Sequence, residues 1–97
     1  MRIKILGTYW DFKFAPNLGP NFGYCDPASS SIRVQKGLDP KHEFEITVHE
    51  INHAGDLDKC EEWIDEYSHD LVNVLHKLGY RRLKGQELKE HDDKING

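Results

Sequence analysis

Apolar and polar positions alternate at the start of the chain, where Ile3 and Ile5 are interleaved with Arg2 and Lys4. A period of two predicts a half-buried strand over residues 2–6. Residues 9–14 predict a second strand, rich in aromatics through Tyr9, Trp10, Phe12 and Phe14. Gly7-Thr8 between them is short enough for a hairpin turn. Residues 15–30 break the pattern with Pro16, Gly19, Pro20, Gly23, Pro27 and the run Ser29-Ser30-Ser31, and read as mostly loop. Ile32-Arg33-Val34-Gln35 predicts a third strand, with Ile32 and Val34 inward and Arg33 outward.

After the turn Lys36-Gly37-Leu38 the period becomes helical. Asp39-Pro40 reads as an N-cap followed by proline at the first helical position. Gly55 stands where a helix stops in the left-handed conformation, which bounds a helix over residues 40–54. Phe44, Val48 and Ile51 share one face of it; Ile46, His49 and His53 share another, which is offered to a site. A second helix is expected from about Lys59 to Leu78, ending at Gly79, with Ile64, Tyr67, Leu71, Leu75 and Leu78 buried. Residues 85–97 are polar with few apolar positions and read as a disordered tail. The expected architecture is a single α+β domain over residues 1–84. In it a three-stranded, antiparallel sheet packs on the first helix and the second helix completes the core.

Composition narrows the function classes. Ninety-seven residues allow one core, and a net charge of −4 argues against a nucleic-acid surface. Arg81, Arg82 and Lys84 follow the second helix, where cations complement a helix C-terminus. No segment approaches the length of a membrane span, and the N-terminus lacks a signal peptide's apolar core, so the expected location is a cytoplasm. Cys25 and Cys60 form no Cys-x-x-Cys pair and are expected as free thiols.

The chemistry sits in His49-Glu50-Ile51-Asn52-His53, which spells H-E-x-x-H. Positions i and i+4 share a helical face, so both imidazoles can reach one ion, and neutral imidazole nitrogens suit zinc. Glu50 lies about 100° around the helix, where a carboxylate serves as general base toward a metal-activated water. A catalytic zinc site needs a third protein ligand. The metzincin spacing, with Gly three and His six residues after the second histidine, is absent: those positions hold Asp56 and Lys59. Asp56, Asp58, Glu61, Glu62, Asp65 and His69 remain, and Cys60 is a weaker candidate. A ligand must face the first helix. Glu61 falls at the edge of the second helix's buried face, beside Ser68 and Val72, whereas Glu62 points nearly opposite the core. His69 lies eight residues beyond Glu61, roughly 12 Å along the axis, so the two compete. Asp58-Lys59-Cys60-Glu61 is also a capping-box spacing, which would occupy Glu61 differently. Asp65 is the next choice, as ligand or as partner of a histidine.

Nearly the whole domain, from the first strand to Gly79-Tyr80-Arg81, resembles the small metallopeptidases encoded in phages and prophages, relatives of the ImmA/IrrE-type minimal zincins. The likeness is carried by Gly23-Tyr24-Cys25-Asp26-Pro27, Ile32-Arg33-Val34, His49-Glu50-Ile51-Asn52-His53-Ala54, Glu61-Glu62-Trp63 and Leu75-His76-Lys77-Leu78-Gly79-Tyr80-Arg81. In ImmA-like zincins a glutamate on the helix after the motif is the third ligand, followed by an aromatic-small pair. Setting that pair on Tyr67-Ser68 places the glutamate at Glu61, while Glu62 leaves room for a one-residue shift.

The resemblance implies a zincin core, a zinc cofactor held by His49, His53 and Glu61, and a peptide or protein substrate in the host cytoplasm. Glu50 would take a proton from water and return it to the leaving amine. The third strand is the expected edge for an extended peptide. Tyr24, Tyr67 and His69 are candidates for oxyanion stabilisation. The rival is a non-catalytic, zinc-stabilised phage module that binds a host protein. It would want a fourth ligand such as Cys60 or Asp56 and has no use for Glu50.

Overall fold

The computed structural model describes residues 1–80; the expected tail at residues 85–97, with Arg81, Arg82 and Lys84, lies outside the described residues. The domain is α+β, with strands β1 (Arg2–Ile5), β2 (Thr8–Ala15), β3 (Gly23–Asp26) and β4 (Ser31–Gln35), then helices α1 (Pro40–Gly55) and α2 (Glu61–Lys77). The sheet has four strands, not the expected three, in the order β1-β2-β4-β3. It is mixed: β1–β2 and β3–β4 are antiparallel, but β2–β4 is parallel. A parallel pair arises because the chain crosses from the end of β2 to the far edge, forms β3 there, and returns as β4 between the two.

Local chemistry explains each turn. Ile5 pairs with Thr8, so the first hairpin turns on Leu6-Gly7 rather than Gly7-Thr8. Both turn residues have positive φ (48° and 83°), the backbone that a two-residue hairpin with right-twisted strands requires. β3 escaped the sequence pattern because it is only four residues long, begins with glycine and is framed by Pro20 and Pro27. Its pairing with β4 makes it a strand. Asp26 closes the hairpin, accepting from the Ala28 amide at 3.1 Å and the Ser29 hydroxyl at 2.8 Å.

One sheet face is apolar. Trp10 and Phe12 of β2 and Ile32 and Val34 of β4 are buried, and Ile3, Ile5, Phe14 and Cys25 pack beside them. Ile46 and Ala54 of α1 close over this cluster. Ile32 and Val34 lose all solvent contact, a transfer of roughly 1.5–3 kcal/mol each. The other face carries Arg33, whose guanidinium meets the Asp11 carboxylate at 2.9 Å.

Asp39 caps α1 as expected, accepting from the Lys41 and His42 amides at 3.1 and 3.3 Å, with Pro40 at its first turn. Gly55 is the last helical residue and not a left-handed stop; Asp56 caps the end in extended conformation. α2 docks on α1 through Ile64, Ser68 and Val72. The expected buried face was rotated: Tyr67 and Leu78 are exposed. A tally of apolar residues overlooks Ser68, which is buried because its hydroxyl accepts from the Asn52 amide at 3.0 Å. Among the described residues, no helix is long and apolar enough to cross a membrane.

Candidate metal centre

α1 and α2 bring three Lewis-basic side chains to one point. His49 Nε2 and His53 Nε2, one helical turn apart, stand 3.1 Å from each other. Glu61 spans both, with Oε1 at 2.8 Å from His49 Nε2 and Oε2 at 2.9 Å from His53 Nε2. Asp65, one turn further along α2, accepts from His49 Nδ1 at 3.0 Å. A protonated Nδ1 leaves the Nε2 lone pair aimed at Glu61 and His53. Lone pairs so directed repel unless a positive charge lies among them, either a proton or a cation. Two imidazoles and one carboxylate form the donor set of open zinc sites, with Asp65 in the outer-partner role typical of such histidines. The residues present therefore fit zinc.

Glu61 reaches this point because α2 begins there. The helix is capped by Cys60, which makes no side-chain cap bond, so Glu61 is the first helical residue and not the third of a capping box. Asp58 instead donates its amide to Asp56 Oδ1 at 3.1 Å within the connection. Asp56, Asp58 and Cys60 are exposed and join no metal-holding group among the described residues. Glu62 lines the adjoining cleft without meeting either histidine. His69 is engaged elsewhere: its Nδ1 is 3.0 Å from Glu45 Oε1, and Asn73 lies on its Nε2 at 3.2 Å.

Glu50 is the buried carboxylate among the described residues. It is 5% exposed and makes no hydrogen bond among the described residues, yet it borders the cleft beside His49 and His53. Burial pushes its pKa up to about 7; the neighbouring Glu61 and Asp65 charges add to the rise and His49 opposes it. A carboxylate poised near neutrality suits proton transfer in both directions.

Gly23 is a residue whose part in the site the sequence did not disclose. A Cβ there would lie 2.9 Å from Arg33 O, 2.9 Å from Ile46 Cγ2 and 3.2 Å from Glu50 Oε2. Glycine lets β3 lie directly against α1 and bring a strand edge to the Glu50 carboxylate. The expected edge, residues 32–35, is corrected: β4 is internal, between β2 and β3, and β3 is the edge strand on this side of the sheet, with β1 at the other. Its neighbour Cys25 keeps its proton, burial raising the thiol pKa to about 11 with help from Glu50 and Asp26. Such a thiol is a poor metal ligand and nucleophile.

Of the three oxyanion candidates, Tyr24 and His69 border the cleft, whereas Tyr67 stacks on Trp63 with ring centroids 4.9 Å apart and is not part of the cleft lining. Compared with protein-family models, with curated proteins and with solved structures, the chain matches none of them.

Proposed function

We propose that the chain is a zinc-dependent peptide hydrolase with a minimal zincin-like core, of the kind that phage and prophage metallopeptidases carry. The observation that supports this best is the meeting of His49, His53 and Glu61 within 3.1 Å beside the buried, unpartnered carboxylate of Glu50. His49 and His53 would hold the ion through Nε2 and Glu61 through its carboxylate, while Asp65 keeps the His49 ring in register. Zinc held there would supply Lewis acidity, lowering the pKa of water and polarising a carbonyl.

The chain's own groups do the rest. Glu50 accepts a proton from the attacking water at its carboxylate and delivers it to the departing amine, the two-way traffic for which a pKa near neutrality is suited. The side of β3 away from β4, unpaired among the described residues, offers main-chain donors and acceptors to an extended peptide, giving affinity with little demand on sequence. A purely structural zinc would gain nothing from Glu50, whose burial disfavours its charged form.

Elemental mass spectrometry of untagged protein tests the site. One zinc per chain is expected, lost in His49→Ala and weakened in Glu61→Gln, with peptide hydrolysis abolished in Glu50→Gln at full zinc content. No zinc uptake after adding the metal back would remove the hydrolase reading. Zinc uptake with activity indifferent to Glu50→Gln would leave the non-catalytic, partner-binding module in its place.

A further inference from the structure

The cleft over Glu50 has two unlike walls. On one side runs the β3 edge, with Gly23, Tyr24 and Cys25; on the other stands α2, with Glu61, Glu62, Asp65 and Glu66. α1 forms the floor between them and adds Glu45 and Glu50. Among the described residues, no lysine or arginine lines the cleft. Even a divalent cation on His49, His53 and Glu61 would leave it negative.

These carboxylates are not equally engaged. Glu61 and Asp65 serve the histidines, and Glu45 holds His69. Glu62 and Glu66 have no ion-pair or hydrogen-bond partner among the described residues, and they stand one turn apart on α2, where like charges repel. Acidic surface alone would mean little. Glu50 adds an independent observation, because it is 95% buried, unpartnered and directed into the same cleft beside β3.

We propose that the cleft selects a cationic peptide, its main chain paired with the edge of β3 and its lysine or arginine side chains directed at Glu62 and Glu66. This rests on the hydrolase reading for its place in catalysis and names the substrate class that reading leaves open. The spacings agree. Residues i and i+2 of an extended strand point the same way about 6.6 Å apart, and residues four apart on a helix are separated by about 6 Å along its axis. Two alternate basic residues can thus meet one carboxylate each. The acidic wall also repels acidic segments, so it discriminates by exclusion as well as attraction.

The test uses fluorescent octapeptides of identical neutral frame, with lysine or with glutamate at two alternate central positions. Binding is read by anisotropy on zinc-treated Glu50→Gln protein, which holds substrate without cutting it. The lysine peptide is expected to bind at least tenfold more tightly than the glutamate peptide, and the ratio should shrink as salt is raised. Glu62→Lys with Glu66→Lys, both at exposed positions, should reverse the preference while zinc content stays unchanged. Equal affinity for the two peptides, no binding of the lysine peptide up to millimolar concentration, or a preference untouched by the double variant would each overturn the proposal. Zinc content and Glu50-dependent cleavage by the native protein are scored separately. A chain that takes up no zinc but still prefers lysine tenfold loses the hydrolase reading and keeps the cationic cleft.

Discussion

Toward the sheet, α1 presents Ile46 and Ala54 to the cluster of Trp10, Phe12, Ile32 and Val34. Toward α2 it presents Asn52, His49 and His53 to Ser68, Asp65 and Glu61. The first contact is apolar, insensitive to pH and tolerant of small shifts, because burial is non-directional. The second is a polar seam whose worth depends on protonation and on whether a cation shares the lone pairs. A helix held this way has a firm back and a conditional front. The conditional side is where proton transfer and ion binding can be linked to structure.

The contrast breaks most sharply at Ile32, which is wholly buried on the sheet side. Ile32→Ala is expected to cost about 3 kcal/mol through lost transfer energy and the cavity left behind. The loss should be the same at pH 5 and pH 8, with zinc or with chelator, in urea denaturation. A loss that varied with zinc would mean that the apolar half and the polar seam are not independent.

Glu50 should show the opposite behaviour. Its pKa is raised from 4.5 to about 7 in the folded chain, so folding favours the protonated carboxyl. The stabilisation from that proton is fully present below the ordinary pKa and is lost as pH rises through about 7. The shift corresponds to about 3 kcal/mol, reduced to about 2 kcal/mol by water reaching the carboxylate through the open cleft. In chelator, native protein should therefore lose about 2 kcal/mol more than Glu50→Gln between pH 4.5 and pH 8. Parallel pH profiles for the two would show that the carboxylate is solvated and not buried.

The smallest effect belongs to the hydrogen bond that lets α2 sit on α1. Ser68→Ala removes the acceptor of the Asn52 amide and is expected to cost about 1 kcal/mol. Because this contact sets how α2 is rotated, zinc affinity should fall as well, by a few-fold. Unchanged stability and zinc binding would show that Ile64 and Val72 alone position Glu61.

The H-E-x-x-H helix was legible because its information is local: four residues of helix place two imidazoles on one face whatever surrounds them. Its cap at Asp39 is a contact over two or three residues, and the first two strands announce themselves by alternation. The face chosen by α2 was less legible. Apolar Tyr67 and Leu78 suggested one rotation, but polar Ser68 paired with Asn52, sixteen positions earlier, selects another. Glu61 was ranked first from helical geometry and resemblance, with a capping box as its competitor. That competitor disappears once α2 is seen to start at Glu61.

By itself, then, the sequence determined the α+β class, the helices, the pairing of the first two strands and the joint presentation of His49, Glu50 and His53. All of these follow from periods of two and 3.6 residues and from end signals a few positions wide. Tertiary structure alone decided that Gly23–Asp26 is a strand at one edge of the sheet, that residues 31–35 run inside the sheet, and that Gly23 lies against Glu50. It also decided that Asp65 orients His49 and that one cleft wall is acidic. Several of those relations join residues far apart in the chain: His49 with Asp65 across 16 positions, Asp11 with Ser31 across 20 and Gly23 with Glu50 across 27. No local pattern encodes which distant backbone will come close enough to pair.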